Sequence, residues 1–248
     1  NLVSQDLNEY GRDLTDRPSL YKLLQGMESI EGDFWLRLMY MYPLQFPDKL
    51  VKLIADHPHI AKYVDIPLQH ISDPMLKKMN RGSSSKYIYR LVENLKKDVP
   101  DIAIRTTFIV GHPGETEDDF KQLKDFIQQS EFDRVGIFQF SNEEGTPSFN
   151  MKPAVPEDLA KERRDELMAM QKEISLKKNK ALIGKTLKVL FEGKSDESEL
   201  LMQGRYYGQA PGIDGVVLIR DGKANLGDFC DVKIVDAFEY DLLGEIVE

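Results

Sequence analysis

The chain has 248 residues, 41% hydrophobic and 30% charged, with a net charge of −9, which is enough for one large domain and a small one. No stretch approaches the roughly 18 apolar residues of a membrane span, and no signal-peptide pattern is present. A single cysteine, Cys230, excludes an intrachain disulfide or a thiolate cluster within the chain, the profile expected of a cytoplasmic protein. The acidic balance favours basic proteins or small ligands over phosphate-rich partners.

Strand-length apolar runs alternate with segments of helical period. The first residues, "NLVSQD", read as the end of a strand reaching Ser4, and a portion is expected to precede them. The helix "SLYKLLQGM" comes before a strand at Trp35–Met41. "PDKLVKLIADH" puts Leu50, Val51 and Ile54 on one helical face and leads to a strand at Lys62–Pro67. "SSSKYIYRLVENLKKD" repeats this with Ile88, Leu91, Val92 and Leu95, before a strand at Ala103–Val110. "ETEDDFKQLKDFIQQS" carries Phe120, Leu123, Phe126 and Ile127 and leads to Arg134–Phe140. Thr116 and Asp119 have capping-box spacing, with Asp in place of Glu or Gln.

Strand–helix alternation about every 30 residues implies parallel strands and right-handed crossovers. The units are too few for a full eight-fold barrel of about 250 residues. An open, partial parallel βα barrel over residues 1–155 fits better. From Pro156 to Ile183 runs one charged helix whose apolar positions, Leu159, Leu167, Met170 and Ile174, form a thin stripe. The remainder, 184–248, has short strands in "KTLKVLFEG", "LLMQGRYYG", "GIDGVVLIRDG" and "GDFCDVKIVDAF". Their spacing and turns indicate a small β-barrel.

Ligands of parallel βα folds lie beyond the carboxyl ends of the strands. Ser4, Gln5 and Asp6 fall there, then "YMYP", "PLQH", "VGHPGET" and "FSNEEGT". Taken singly, each has an ordinary reading. His70 and His112 are loop histidines, and Gly111 and Gly114 permit a tight turn. Glu115 is a charge at a helix N-terminus, Arg81 is a solvated helix end, and Cys230 packs in a strand core. A phosphate site at "RTTFIVGHPGETEDDF" is disfavoured, because Glu115, Glu117, Asp118 and Asp119 crowd a helix start that would otherwise suit an anion. No Ser-His-Asp set or zinc-spaced cluster is present, so neither catalytic residues nor metal ligands are named.

In combination the rim is more specific. "LVSQDLNEYG", "DIPLQHISDPMLKKMNRG", "RTTFIVGHPGET", "FDRVGIFQFSNEEGTPS", "ERRDELMAMQKEIS" and "PGIDGVVLI" occur in this order. Together they resemble the radical S-adenosylmethionine methylthiotransferases over essentially the whole chain. The resemblance implies a radical-SAM partial barrel followed by a TRAM β-barrel. It also implies two four-iron four-sulfur clusters, held by cysteines that precede this stretch, a CxxxCxxC segment among them, and none ligated here. It places the "FIVGHPGE" turn beside the adenine of S-adenosylmethionine, with glycines that let backbone approach the flat ring. The implied cofactor-binding residues are Gln5, Asp6, Gln69, Arg105, Val110, Gly111, Pro113, Gly114, Glu115 and Ser141. The implied substrate-binding residues are His70, Arg81, Glu143 and Glu144. His112 stands where the family more often has Phe, and no role is assigned to it.

The family has a transfer-RNA branch, acting on a modified adenosine, and a branch that thiomethylates the β-carbon of an aspartate in a small-subunit ribosomal protein. This chain resembles the second, through "PLQHISD", "RTTFIVG" and "SNEEGT". Glu143 and Glu144 at the mouth would repel a phosphate backbone and attract a basic loop. Residues 183–248 hold seven Lys and Arg against thirteen Asp and Glu, a net of −6. The expected partner is thus a basic ribosomal protein, with neither membrane nor nucleic acid as primary target. The alternatives are a transfer-RNA methylthiotransferase and a non-catalytic module whose acidic barrel docks a protein.

Overall fold

The computed structural model describes every residue except Gln45, Asp196, Glu197, Glu199 and Glu248. Four of the carboxylates counted in the acidic second domain therefore lie outside the described residues. Six helices and nine strands are described: α1 (Leu20–Met27), β1 (Leu36–Leu38), α2 (Asp48–Asp56), β2 (Ile60–Asp65), α3 (Asp73–Lys78), α4 (Ser85–Asp98), β3 (Ala103–Val110), α5 (Glu117–Ser130), β4 (Arg134–Gln139), α6 (Glu157–Lys180), β5 (Thr186–Lys194), β6 (Met202–Tyr206), β7 (Val217–Asp221), β8 (Phe229–Ala237) and β9 (Leu242–Ile246).

The first four strands make one parallel sheet in the order β1-β2-β3-β4. It is the open βα barrel read from the strand–helix period. The helices start where side chains can satisfy their free N–H groups. The Ser19 and Ser84 hydroxyls accept from Lys22 N and Tyr87 N. At α5 the Thr116 hydroxyl accepts from Asp119 N (3.2 Å), and Asp119 Oδ2 accepts from Thr116 N (2.9 Å). This completes the capping box. Leu50, Val51 and Ile54 of α2, the four apolar residues of α4 and those of α5 are all buried.

Strand β3 shows how the sheet sorts its two faces. Ile104, Thr106, Phe108 and Val110 are buried under helices, while Arg105, Thr107 and Ile109 alternate onto the inner face. Lower on that face, Met39, Ala61, Tyr63 and Ala103 form a small separate cluster with Ala210 of the second domain.

Several boundaries differ from the sequence reading. The expected strand ending at Ser4 reduces to a single bridge, Leu2 to Leu38. Strand β1 keeps only three of the seven residues expected, and its register with β2 shifts between Leu36 and Leu38. Strand β2 begins and ends two residues earlier than expected. Helix α3, with Pro74 in its first turn, and strand β9 were not foreseen.

The second domain is a closed barrel, β5-β6-β7-β9-β8, in which β9 pairs parallel to β7 and antiparallel to β8. Helix α6 joins the two domains. Its buried stripe contains Leu167 and Ile174 as expected, but also Arg163, Gln171, Ser175 and Asn179. The polar members bond backbone carbonyls: Gln171 donates to Phe132 O, Ser175 to Asp133 O and Asn179 to Phe238 O. Such buried polar groups are stable only when paired, and here the pairing clamps α6 against both domains.

Candidate active site

The carboxyl ends of the sheet strands enclose a cavity of about 410 Å³ on the inner face. Gln5, Gln69, Arg81 and Arg105, all expected site residues, converge on it, together with Tyr40, Tyr42, Thr107, Ile109 and Phe138. A second cavity of about 350 Å³ adjoins it at the rim and shares Gln69, Arg81 and Ile109. Three non-glycine residues around these cavities have left-handed backbone: Tyr40 (φ +57), Gln69 (φ +71) and Asn80 (φ +54). Such backbone is costly for residues with a Cβ, and it concentrates at sites whose geometry matters.

Arg105 is anchored on the inner face by two carboxylates. Its Nη1 donates to Asp65 Oδ1 at 2.9 Å, and its Nε lies 3.8 Å from Asp214 Oδ1 of the second domain. Both carboxylates are buried. Arg81 stacks its guanidinium 5.6 Å from the centroid of the Tyr42 ring.

The turn after β3 is built differently from the sequence expectation. The Glu115 side chain is fully buried. Its Oε2 accepts from Gly111 N (2.6 Å) and from Arg163 Nη1 (2.9 Å), and its Oε1 faces His70 Nε2 at 3.2 Å. His70 Nδ1 accepts from Ile71 N and Ser72 N. The imidazole proton is thereby assigned to Nε2, which donates to Glu115. Glu115 and His70 thus brace the turn from behind; neither side chain reaches the mouth, where cofactor or substrate contact had been expected of them. The glycines point the same way. A Cβ on Gly111 would lie 2.4 Å from Ala160 Cβ of α6, and one on Gly114 would lie 2.3 Å from Lys78 Nζ. On the side where a Cβ would point they make room for the helix and the lysine.

The other expected residues separate. Val110 is buried on the helix side of β3, and only its carbonyl, which accepts from Phe140 N, faces the rim strand. Asp6 turns away from the main cavity, where it accepts from Asn8 N and Tyr42 N. Gly111, Pro113 and Ser141 line a third cavity of about 530 Å³ between the β4 end and the start of α6. The Gln139 amide nitrogen in its wall is buried with no partner among the described residues. Glu143 and Glu144 are exposed on the rim loop, and Glu143 accepts from the Ser141 hydroxyl. His112 is buried edge-on against Phe140, 4.8 Å between ring centroids. Burial holds its pKa below the ordinary histidine value.

Sequence reasoning missed Tyr40, Tyr42, Thr107 and Phe138 as lining residues. "YMYP" was placed at the rim, but aromatic and apolar residues of a strand read as core. Asp65 and Asp214 were also missed. A carboxylate following the apolar Tyr63 and Val64 at the end of a strand was the available signal for Asp65.

The site residues fit S-adenosylmethionine. Two guanidiniums suit its carboxylate, amides and a threonine hydroxyl suit its ribose, and aromatic and aliphatic walls suit a flat ring; in the neighbouring third cavity the Gln139 amide is a buried donor with no acceptor among the described residues. They do not fit an iron–sulfur cluster. Among the described residues no group of three or more His, Cys, Asp or Glu is placed to hold metal. Cys230 lies in β8, with its thiol pKa raised by burial.

Residues 10–127 match the radical SAM superfamily, and residues 183–247 match the TRAM domain. The ribosomal protein uS12 methylthiotransferase RimO of Geobacter sulfurreducens is 48% identical over 100% of this chain and 55% of its own length. The protein of the same name from Myxococcus xanthus is 46% identical over 100% of this chain and 52% of its own. The chain thus spans about half the length of these curated relatives. Among solved structures, the radical SAM enzyme coproporphyrinogen III oxidase (HemN) of Escherichia coli superposes with a TM-score of 0.49, at 15% identity over 62% of this chain and 36% of that one. With an open parallel barrel matching the radical SAM superfamily, a closed β-barrel matching the TRAM domain and relatives of this similarity along its whole length, the chain is a radical SAM–TRAM chain similar throughout to the uS12 methylthiotransferases.

Proposed function

We propose that this chain provides the S-adenosylmethionine-binding chamber and the substrate-docking domain of an enzyme that methylthiolates the β-carbon of an aspartate in ribosomal protein uS12. The observation that carries this reading is 48% identity, over the full chain, to a protein named as a methylthiotransferase of ribosomal protein uS12; the aspartate β-carbon is what the family resemblance implies. S-adenosylmethionine and the iron–sulfur clusters, when bound, supply the radical chemistry needed to activate an unreactive carbon. The chain's own residues bind, orient and shield. Arg105 and Arg81 offer guanidiniums to a carboxylate. Gln5, Gln69 and Thr107 offer hydrogen bonds. Tyr40, Tyr42 and Phe138 form walls that keep water from the centre.

The mouth favours a protein substrate over RNA. Glu143 and Glu144 are exposed there, and carboxylates at a rim act mainly on encounter. A basic loop of uS12 would be drawn in, and a phosphate backbone repelled. Binding of the full-length enzyme to uS12 and to transfer RNA across a salt series tests this. Affinity for uS12 should fall as the Debye length shortens from about 10 Å at 0.1 M toward about 3 Å at 1 M. Replacing Glu143 and Glu144 by Lys should chiefly slow association. Salt-sensitive binding to transfer RNA with none to uS12 would overturn the assignment in favour of the transfer-RNA activity.

A further inference from the structure

Next to the main cavity, around its lining residue Arg105, the two domains meet. The segment that joins β6 to β7 leaves the second barrel and enters the lower inner face of the sheet. Tyr207 donates its hydroxyl to Asp101 O, and its carbonyl accepts from Arg37 Nη2 at 2.7 Å. Ala210, fully buried, packs with Met39, Ala61, Tyr63 and Ala103. The two alanines of the sheet leave the room that this segment fills. At its end Asp214 accepts from Tyr63 OH and from Ala210 N, both to Oδ2 at 2.8 Å. That leaves Oδ1 facing Arg105 Nε at 3.8 Å.

Arg105 is therefore held between two buried carboxylates, one from each domain. Asp65 is in turn tied to the left-handed Tyr40 at the mouth, whose N–H donates to Asp65 Oδ2. With Asp65 alone, a guanidinium would be free to swing into a bidentate pair with it. A second carboxylate on the Nε side opposes that rotation, and the guanidinium stays presented to the cavity that it lines.

We propose that Asp214, carried by the TRAM domain, is a positioning residue that fixes the Arg105 guanidinium toward S-adenosylmethionine, which makes the second domain part of the reaction chamber. The ligand in this statement rests on the proposed function; the linkage between the domains does not. Asp214→Asn keeps an oxygen for Tyr63 and Ala210 but turns an NH2 toward Arg105. In the full-length enzyme, S-adenosylmethionine affinity by equilibrium dialysis should weaken about tenfold in Asp214→Asn, as for directly coupled neighbours. Asp214→Asn added to Arg105→Gln should weaken binding no further than Arg105→Gln alone. Wild-type affinity in Asp214→Asn, or losses that multiply in the double variant, would overturn the proposal. Should Asp214→Asn not fold, Arg105→Gln carries the test by amide hydrogen exchange. Residues 207–214 should then exchange about tenfold faster, and unchanged protection there would overturn it. A wild-type enzyme that binds no S-adenosylmethionine would sink the proposed function, while the exchange experiment would still decide the linkage.

Discussion

Gly111→Ala is expected to act on the fold, through α6. Gly111 has φ +80, a region that costs residues with a Cβ about 1–2 kcal/mol. Its new methyl would sit 2.4 Å from Ala160 Cβ, where carbon atoms ordinarily approach to about 3.5–4.0 Å. Ala160 cannot retreat freely, because α6 is clamped to the same turn by the Arg163–Glu115 pair. Forced overpacking adds about 1–3 kcal/mol. The total of about 2–5 kcal/mol is a large share of a typical domain stability of about 5–15 kcal/mol. Urea unfolding followed by circular dichroism should show a clear drop in midpoint. Ala160→Gly separates the two causes. Alone it costs about 1 kcal/mol of helix propensity; combined with Gly111→Ala it removes the overlap and should restore stability in part. A wild-type midpoint for Gly111→Ala, or an Ala160→Gly substitution equally harmful in both backgrounds, would refute the packing argument.

Arg163→Met leaves the fully buried Glu115 carboxylate without its cation and should destabilise the chain by about 3–5 kcal/mol, read from the thermal midpoint; adding Glu115→Gln should recover part of that loss. Burial works against the Asp119 carboxylate, but hydrogen bonds from Ser72 and Thr116 outweigh it, and its pKa lies below the ordinary value. The stability it contributes is complete above the unfolded carboxylate pKa of about 3.9 and is lost as pH falls through the lower folded value. The acid limb of the unfolding midpoint should accordingly flatten in Asp119→Asn. Anaerobic reconstitution of this chain with iron and sulfide should leave less than one cluster per chain, as measured by iron analysis after desalting, and stoichiometric iron would contradict the donor set described for it.

The helices were legible because each meets water on one side and the sheet on the other, so their apolar spacing is strict. All four apolar residues predicted for α4 and for α5 are buried. Strand β3 was legible to the residue because helices cover one of its faces and a cavity faces the other. Elements whose identity depends on a partner were harder to see. Strand β9 has five residues with a glycine at its centre, a weak signal that becomes a strand only because β7 and β8 flank it. Helix α3 has six residues, too short for periodicity to register, although Ser72-Asp73-Pro74 was a readable start.

The candidate site divides along the same line. Gln5 and Gln69 could be placed because the carboxyl-end rule needs only strand order, whereas Arg81 and Arg105 were named only through the family resemblance. The roles of Glu115 and His70 could not, because a charge is buried only where the fold brings its partner. For Glu115 those partners are His70, 45 residues earlier, and Arg163, 48 residues later. In a linear reading an acidic turn before a helix belongs to solvent or ligand. In the structure its carboxylate is the inner support of the turn, Gly111 is the clearance for α6 and Gly114 the clearance for Lys78 of α3. The chain therefore spends its most motif-like segment on rigidity, and the groups that face the cavity come from positions of alternating strands where arginine, threonine and tyrosine stand among core residues. That placement also explains why Asp214 escaped notice. It lies in the other domain, in a glycine-flanked loop of a small β-barrel, and acquires meaning only where that loop meets Tyr63 and Arg105.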